Sequence, residues 1–195
     1  MNRALTYDDV NIIPKYSELN SRGDVKLNTR FTKNTEITIP IVASPMDTVT
    51  ELDMAREMML WGGVGVIHRF MSIEEQAKMM KKLCYMPESD HIVITNNLPR
   101  CAAIGVTDDY LERSQELFKN GCNVLLIDVA HGHHKLVGEA SEKIKTRLEQ
   151  IEVIAGSVAT AEACEYLCEK GADAIRVGIG NGSLCETRIR TGVGI

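Results

Sequence analysis

The sequence predicts an α/β fold, namely a (β/α)8 TIM barrel that is incomplete in this chain, with about six strands and five helices. Apolar runs of strand length alternate with longer segments of helical periodicity, which indicates a parallel sheet with crossover helices. The runs are apolar almost without interruption, as is typical of parallel strands covered on both faces. Polar or glycine-rich residues follow several of these runs.

The predicted strands are Ile39–Ser44, Val64–His68, Cys101–Val106, Val124–Ala130, Ile151–Val158 and Asp173–Gly180. The predicted helices are Glu51–Trp61, Ser72–Leu83, Asp108–Asn120, Lys135–Glu149 and Ala161–Lys170. Gly121 and Gly171 each stand where a glycine ends a helix. An open doubly wound sheet also fits this alternation. Polar residues after several different strands favour the barrel, because all its strand ends meet on one face.

The number of strands predicts that the barrel is interrupted. A closed barrel needs eight strand–helix units, whereas six strands are visible before the chain stops at TGVGI. We therefore expect residues 1–195 to form a single barrel domain, cut after its sixth strand and the loop that follows. An unusual six-stranded fold is the alternative.

The charge balance restricts the class of partner. The chain has 22 Lys and Arg and 27 Asp and Glu, a net charge of −5. This argues against nucleic acid as the main partner, because a phosphate backbone requires a basic surface. A single nucleotide needs only a local donor pocket. No apolar run approaches the roughly 20 residues that span a membrane, and no signal-peptide pattern opens the chain, so we expect a cytoplasmic protein.

A glycine-rich segment, residues 178–188, follows the last predicted strand. Its glycines let the backbone approach a ligand closely, and Ser183 adds a hydroxyl suited to phosphate. Backbone carbonyls in such a tight loop could also hold a monovalent cation. The segment matches neither the Walker pattern nor the Rossmann fingerprint. A flexible glycine hinge is the alternative interpretation.

Cys185 is the only one of six cysteines in this polar, glycine-rich loop. A thiolate forms covalent adducts when its pKa is lowered or a base is near. Thr187, Arg188 and Arg190 supply a hydroxyl and positive charge nearby, which favours a reactive thiol over an inert loop cysteine. The chain has no C-x-x-C pair and no H-E-x-x-H motif, so neither a zinc ribbon nor a zincin is indicated.

Asp128 stands at the end of the fourth predicted strand, before AHGHH. A lone acid at this place can accept hydrogen bonds from a ribose diol. The alternative is an N-cap for the helix that follows.

Together these segments resemble the IMP dehydrogenase/GMP reductase family from one end of the chain to the other. The matching segments are LTYDDVNIIPKYS (5–17), ASPMDTVTE (43–51), GGVGVIHRFMSIEEQ (62–76), AHGHH (130–134), GSVATAEA (156–163) and VGIGNGSLCETRIRTGVG (177–194). The last is the most specific. One departure is Ser157, where the family usually has Asn.

The resemblance implies a role for each matching residue. Cys185 would attack C2 of the purine to form a thioimidate, and Thr187 would help to handle the water or the leaving group. The implied substrate contacts are Ser44, Met46, Ser157, Arg176, Gly182 and Ser183. The implied cofactor contacts are Asp128, Val129, Ala130, Gly178, Ile179 and Gly180. The backbone carbonyls of Gly180, Gly182 and Cys185 would hold K+.

Two activities within the family compete. The Ser44–Val49 loop and the MSIEEQ segment are similar to IMP dehydrogenase, which oxidises IMP to XMP with NAD. Only Tyr85–Arg100 stands where those enzymes usually carry CBS domains, so no CBS insertion is expected. This short segment favours a GMP reductase, which uses NADPH, a naturally CBS-less dehydrogenase, or a trimmed chain. A non-catalytic nucleotide-binding module is a further alternative. The resemblance also implies a homotetramer.

Overall fold

The computed structural model of the protein describes residues 5, 9–85 and 98–194. Eight strands lie in this part of the chain: β1 (Thr29–Arg30), β2 (Glu36–Ile37), β3 (Val42–Ala43), β4 (Val64–Ile67), β5 (Cys101–Ile104), β6 (Val124–Asp128), β7 (Glu152–Val158) and β8 (Ala174–Val177). The α-helices of the same part are α1 (Leu52–Leu60), α2 (Ile73–Cys84), α3 (Tyr110–Lys119), α4 (Lys135–Arg147), α5 (Ala161–Glu169) and α6 (Thr187–Thr191).

Strands β3 to β8 form one parallel sheet whose spatial order is the same as their order along the chain. This order excludes a doubly wound sheet, in which the strand order reverses at a switch point. The six strands curl into a half-barrel, and the helices that connect them pack outside. The predicted incomplete (β/α)8 barrel is therefore confirmed.

Both faces of the central strands β4 to β7 are buried, as the uninterrupted apolar runs predicted, whereas the edge strands β3 and β8 are partly exposed. On the outer face, strand residues such as Ile104, Leu125 and Ile127 pack against helix residues such as Leu117 and Ile144. The inward face carries a second cluster, called here the interior cluster: Ile37, Val64, Val66, Cys101, Ala103, Val124, Leu126 and Ile154. Each large side chain buried in this way contributes about 1.5–3 kcal/mol.

A hairpin of β1 and β2 closes the amino end of the half-barrel. Its Ile37 joins the interior cluster, and its turn is fixed by Glu152, the first residue of β7. Glu152 Oε2 accepts hydrogen bonds from the hydroxyls of Thr32 and Thr35, both at 2.6 Å, and Oε1 accepts from the Asn34 backbone N–H at 2.8 Å. The buried carboxylate is thus satisfied by donors from a single turn.

The predicted elements agree with the structure except at their ends. Strands β5 and β6 stop at Ile104 and Asp128, earlier than predicted, because apolar residues continue into the loops beyond them. Gly121 and Gly171 have φ of +93° and +84° and directly follow the C-caps of α3 and α5, so their predicted role is confirmed.

Two features were missed by the prediction. No element was predicted before Ile39, yet the structure has the β1–β2 hairpin there. The expectation of five helices was wrong by one, because α6 begins at Thr187 inside the segment read as a loop. Its five residues are too few to show helical periodicity. The predicted absence of a CBS insertion concerns Tyr85–Arg100, of which residues 86–97 lie outside the described residues, as do residues 6–8 of the segment at 5–17.

Candidate active site at the carboxyl end of the sheet

Four residues at the carboxyl ends of adjacent strands form an inward-facing set, called here the top layer: Gly105, Asp128, Gly156 and Arg176. Each stands two positions after a residue that belongs to the interior cluster or packs against it, and side chains alternate along a strand. Asp128 pairs with Gly156, and Gly156 pairs with Arg176. Ile104 pairs with Ile127, which makes Gly105 the neighbour of Asp128.

Arg176 reaches across the central glycine to Asp128. Its Nη1 donates to Asp128 Oδ1 at 2.5 Å. Gly156 lies between them without a side chain, and a Cβ there would come within 2.7 Å of the Arg176 Cβ. The N-cap alternative for Asp128 was wrong, because the N-cap of α4 is His134, whose Nδ1 accepts from the Leu136 N–H at 3.1 Å.

The loop after β6 rests directly on β7. The Gly132 N–H donates to the Ser157 carbonyl at 2.7 Å, and the Ser157 N–H donates to the Val129 carbonyl at 2.9 Å. A Cβ on Gly132 would lie 2.7 Å from that same Ser157 oxygen, so only glycine allows this approach. Ser157 is buried, whereas Ala130 is exposed. The predicted cofactor residues Val129 and Ala130 thus lie beside the predicted substrate residue Ser157.

Contacts among its own residues hold the glycine-rich loop in a compact conformation. Gly178 and Gly180 have φ of +114° and +72°, values that favour glycine. A Cβ on Gly180 would lie 2.5 Å from Cγ of Arg188, so the loop packs closely against the stem of that arginine. The Ile179 side chain between the two glycines is buried and anchors the loop. These contacts hold the segment that carries Gly182 and Ser183, both of which are exposed.

Cys185 is exposed at the tip of this loop, immediately before α6. Its thiol donates to Thr187 Oγ1 at 3.3 Å. Hydrogen bonds from the hydroxyl and the backbone N–H of Thr187 stabilise the thiolate and lower the pKa of Cys185. Partial burial opposes this shift, and the charges of Arg188 and Arg176 add to it. The loop therefore presents a thiol that ionises more readily than a free cysteine.

The pKa direction distinguishes Cys185 from three other cysteines. Burial raises the pKa of Cys101 well above its ordinary value, raises that of Cys122 to about 12, and raises that of Cys84. Exposure alone would not have singled out Cys185, because Cys84 and Cys168 are also exposed. The lowered pKa and the position beyond β8 together make Cys185 the best candidate nucleophile in the described part of the chain.

The remaining predicted substrate residues follow β3, at the other edge of the sheet. The Ser44 carbonyl accepts from the Thr50 hydroxyl at 2.6 Å and from the Met46 N–H at 2.8 Å, which folds the segment into a compact loop. The Met46 side chain is half exposed. The structure thus brings Asp128 to Arg176 and Cys185 to Thr187, and it places Ser44 and Met46 on the opposite edge strand.

The sequence analysis missed a buried polar network that fixes the end of β4. Gln76 of α2 donates from Nε2 to the carbonyls of His68 and Ala103, both at 2.9 Å. Arg113 of α3 donates to Gln76 Oε1 at 3.0 Å and pairs with Asp109 at 2.7 Å. The signal in the sequence was a glutamine on the otherwise apolar face of an amphipathic helix.

The predicted cation site depends on backbone carbonyls. Within residues 9–85 and 98–194, no group of three or more His, Cys, Asp or Glu side chains could hold a metal ion. Potassium at the predicted place would therefore be bound by carbonyls, of which that of Gly182 already accepts from the Cys185 N–H at 2.9 Å. A carbonyl oxygen has a second lone pair, so this bond leaves it able to bind a cation. No helix of the described residues is long and apolar enough to cross a membrane.

A parallel half-barrel with an exposed thiol of lowered pKa, an ion pair and a glycine loop beyond the carboxyl ends of its strands is the arrangement typical of (β/α)8-barrel enzymes. The model of the IMP dehydrogenase / GMP reductase domain family matches residues 4–195. The chain belongs to that family, whose members are oxidoreductases.

Relatives of both activities are similar to the chain. The inosine-5'-monophosphate dehydrogenase of Borreliella burgdorferi is 37% identical, with 98% of this chain and 57% of that protein covered. The enzyme of the same name from Cryptosporidium parvum is 36% identical over 100% of this chain and 56% of its own length. A GMP reductase from Klebsiella pneumoniae is 35% identical over 97% and 54%. The chain spans little more than half the length of these relatives.

Proposed function

We propose that the protein is a purine nucleotide oxidoreductase that oxidises IMP to XMP with NAD through a covalent intermediate on Cys185, in guanine nucleotide synthesis. The observation that supports this most directly is the exposed Cys185 thiol, whose pKa is lowered by Thr187 at the carboxyl end of a barrel strand. Relatives named inosine-5'-monophosphate dehydrogenase support the same substrate.

The proposed reaction balances with NAD and water as co-reactants. The Cys185 thiolate adds to C2 of the purine, N3 takes a proton, and C2 becomes tetrahedral. The C2–H bond then breaks with its electron pair, the C2–N3 double bond re-forms and the proton leaves, which yields a thioimidate on sulfur. Nicotinamide, when bound, supplies the acceptor for that hydride. Water then displaces sulfur, its oxygen becomes the 2-oxo group of XMP, and the thiol is regenerated.

The residues of this chain would orient the substrate and the thiol. Thr187 favours the thiolate before attack and can receive a hydrogen bond from the attacking water or the leaving thiol. Ser183 and the exposed Gly182 backbone offer donors to the nucleotide phosphate. Arg176 would line the same pocket while it fixes Asp128, whose Oδ2 is left as an acceptor for the cofactor. Ser44, Met46 and Ser157 would contact the substrate.

A monovalent cation is part of the proposal. Gly180, Gly182 and Cys185 would hold K+ through their carbonyls, and the ion would stiffen the loop that carries the nucleophile. Val129, Ala130, Gly178, Ile179 and Gly180 would lie against the cofactor. Replacement of K+ by Na+ or Li+ should lower the rate, because a smaller ion fits the carbonyl cage less well. Equal rates in the three salts would remove the cation from the proposal.

A GMP reductase is the second candidate, supported by the relative of that name at 35% identity. In that reaction Cys185 would add to C2 of GMP and ammonia would leave, which gives the same thioimidate. A hydride from NADPH would then add to C2, and the Cys185 thiolate would leave as the C2–N3 double bond re-forms, which gives IMP. The same nucleophile would serve both reactions, and the co-substrate that is consumed would distinguish one from the other.

The test is turnover by the complete protein with purified nucleotides. Formation of NADH and XMP from IMP and NAD is the expected result. NADPH consumption with ammonia release from GMP would instead establish the reductase. If neither assay showed turnover while the protein still bound nucleotide, the result would indicate a non-catalytic nucleotide-binding module. Light scattering on the same sample would test the homotetramer, and fractionation of the source cells would test the cytoplasmic location.

A further inference from the structure

Arg69, which follows β4, has a buried Nε that finds no hydrogen-bond partner among the described residues. Within that part of the chain the side chain also forms no ion pair. The Phe70 ring packs against it, with the ring centroid 5.2 Å from Cζ. A buried guanidinium N–H without an acceptor costs free energy, so the arrangement is expected to be completed by a ligand.

The guanidinium lies at the top layer. A Cβ on Gly105 would meet Arg69 Nη1 at 3.5 Å and Cζ at 3.8 Å, so the guanidinium lies within van der Waals distance of the inward side of Gly105. Gly105 is the neighbour of Asp128 in the sheet. Arg69 therefore approaches the Asp128 end of the site from the side opposite to Arg176.

Hydrogen bonds to the neighbouring residues hold the backbone of Arg69 in place. The carbonyl of the preceding His68 accepts from the buried Gln76, which is itself held by Arg113. The His68 Nδ1 accepts from the Phe70 N–H at 3.1 Å, so the backbone on both sides of Arg69 is held. Binding of an anion by Arg69 therefore requires little further ordering of the backbone.

Arg56 is the appropriate comparison. Its Nε is also buried without a hydrogen-bond partner. However, Arg56 lies on α1, away from the strand ends, and its Nη1 is 3.6 Å from the Asp53 carboxylate. Arg69 combines the unsatisfied donor with a place in the candidate site, and Arg56 does not.

We propose that Arg69 binds a phosphoryl oxygen of the dinucleotide cofactor. A guanidinium is suited to this because it presents paired donors to phosphate in a fixed plane. The dinucleotide is favoured over the substrate monophosphate because Arg69 and the Cys185 loop lie on opposite sides of Asp128. A nicotinamide beside Asp128 would extend its diphosphate toward β5 and β4. This inference rests on the proposed function.

The experiment compares Arg69→Ala, Arg69→Lys and the control Arg56→Ala in the complete enzyme. The KM for NAD should rise on the order of tenfold in Arg69→Ala, as expected when one charge-assisted hydrogen bond is lost, and less in Arg69→Lys. The KM for IMP, and the labelling of Cys185 by an electrophilic purine nucleotide, should stay within about twofold. Arg56→Ala should leave the KM for NAD unchanged. Circular dichroism checks that each variant is folded, and Arg69→Lys preserves the test if the alanine variant is not.

Three outcomes would overturn the inference. An unchanged KM for NAD in both Arg69 variants would mean that no phosphoryl group is bound there. A rise in the KM for IMP alone would assign Arg69 to the substrate monophosphate. An equal rise in the Arg56 control would show a general loss of structure. Failure of the proposed function is distinct, because the unmodified enzyme would then show neither NAD-dependent turnover nor nucleotide labelling of Cys185.

Discussion

Arg176 on β8 forms an ion pair with Asp128 on β6 across the intervening strand β7, where Gly156 provides the space. The two side chains are 48 positions apart in the sequence. Because the pair bridges three strands at the carboxyl end of the half-barrel, it joins the end of β6 to β8, the strand that leads into the Cys185 loop. The first two predictions test the glycine and the charges of this arrangement.

Gly156→Ala should lower the free energy of unfolding by about 1–3 kcal/mol, the usual cost of overpacking. The new Cβ would lie 2.7 Å from both Cβ and the carbonyl oxygen of Arg176, and backbone cannot move aside as a flexible side chain does. Urea denaturation measures the effect. Gly23→Ala is the matched control, because its Cβ would meet only Ser21 Oγ at 3.5 Å. Equal stability of the two variants would contradict the proposed role of Gly156.

A double-mutant cycle with Asp128→Asn and Arg176→Gln should give a coupling energy of about 1 kcal/mol, since both side chains are partly exposed and solvent screens the pair. The two side chains are 22% and 34% exposed. The pair Lys135–Glu139, whose lysine is 81% exposed, is the control and should give a coupling near zero. If the two couplings were equal, burial at the top layer would add nothing to the Asp128–Arg176 pair.

Glu152→Gln should destabilise the protein by roughly 1–3 kcal/mol, because a buried donor then loses its acceptor. The carboxylate accepts hydrogen bonds at both oxygens, whereas an amide accepts at one end only. Hydrogen exchange should also increase at Thr32–Thr35, the turn of the β1–β2 hairpin. Glu149→Gln, at an exposed position, is the control. Unchanged exchange in the hairpin turn would show that Glu152 does not hold it.

The barrel itself was predictable because its central strands β4 to β7 are buried on both faces, and continuous apolar runs are a strong local signal. The β1–β2 hairpin was not predictable in this way. Its strands have two residues each and carry charged side chains, so the segment lacks both an apolar run and alternation. Helix α6 was not predicted for a similar reason, since five residues do not show a helical period.

The residues of the candidate site also differ in whether a local sequence signal predicts their contacts. Cys185 and Thr187 were predicted together because they are two residues apart in one loop. The partner of Asp128 was not predicted, because strand register and the missing side chain of Gly156 decide which residue meets it. The unpaired guanidinium of Arg69 has no sequence signal either, since absence of an acceptor is a property of the folded surroundings alone.

Thr187→Val should slow alkylation of Cys185 by iodoacetamide near neutral pH. The reagent attacks the thiolate, so the rate rises with pH and levels off above the pKa. Because the pKa is lowered chiefly by the Thr187 hydroxyl, its loss should move the midpoint upward, toward the ordinary value of 9.0. The backbone N–H of residue 187 remains, so the shift should be incomplete. A midpoint unchanged by the substitution would show that the hydroxyl does not stabilise the thiolate.

The central claim is that Cys185 is the covalent nucleophile toward a purine nucleotide, and intact-protein mass spectrometry after incubation with IMP and NAD tests it most directly. We expect an acid-quenched adduct of nucleotide mass that peptide mapping assigns to Cys185. The adduct should be absent from Cys185→Ala and should persist in Cys168→Ala, which removes another exposed cysteine. Cys185→Ala should bind IMP nearly as well as the unmodified protein while turnover is abolished. An adduct on another cysteine, or substantial turnover by Cys185→Ala, would contradict the account.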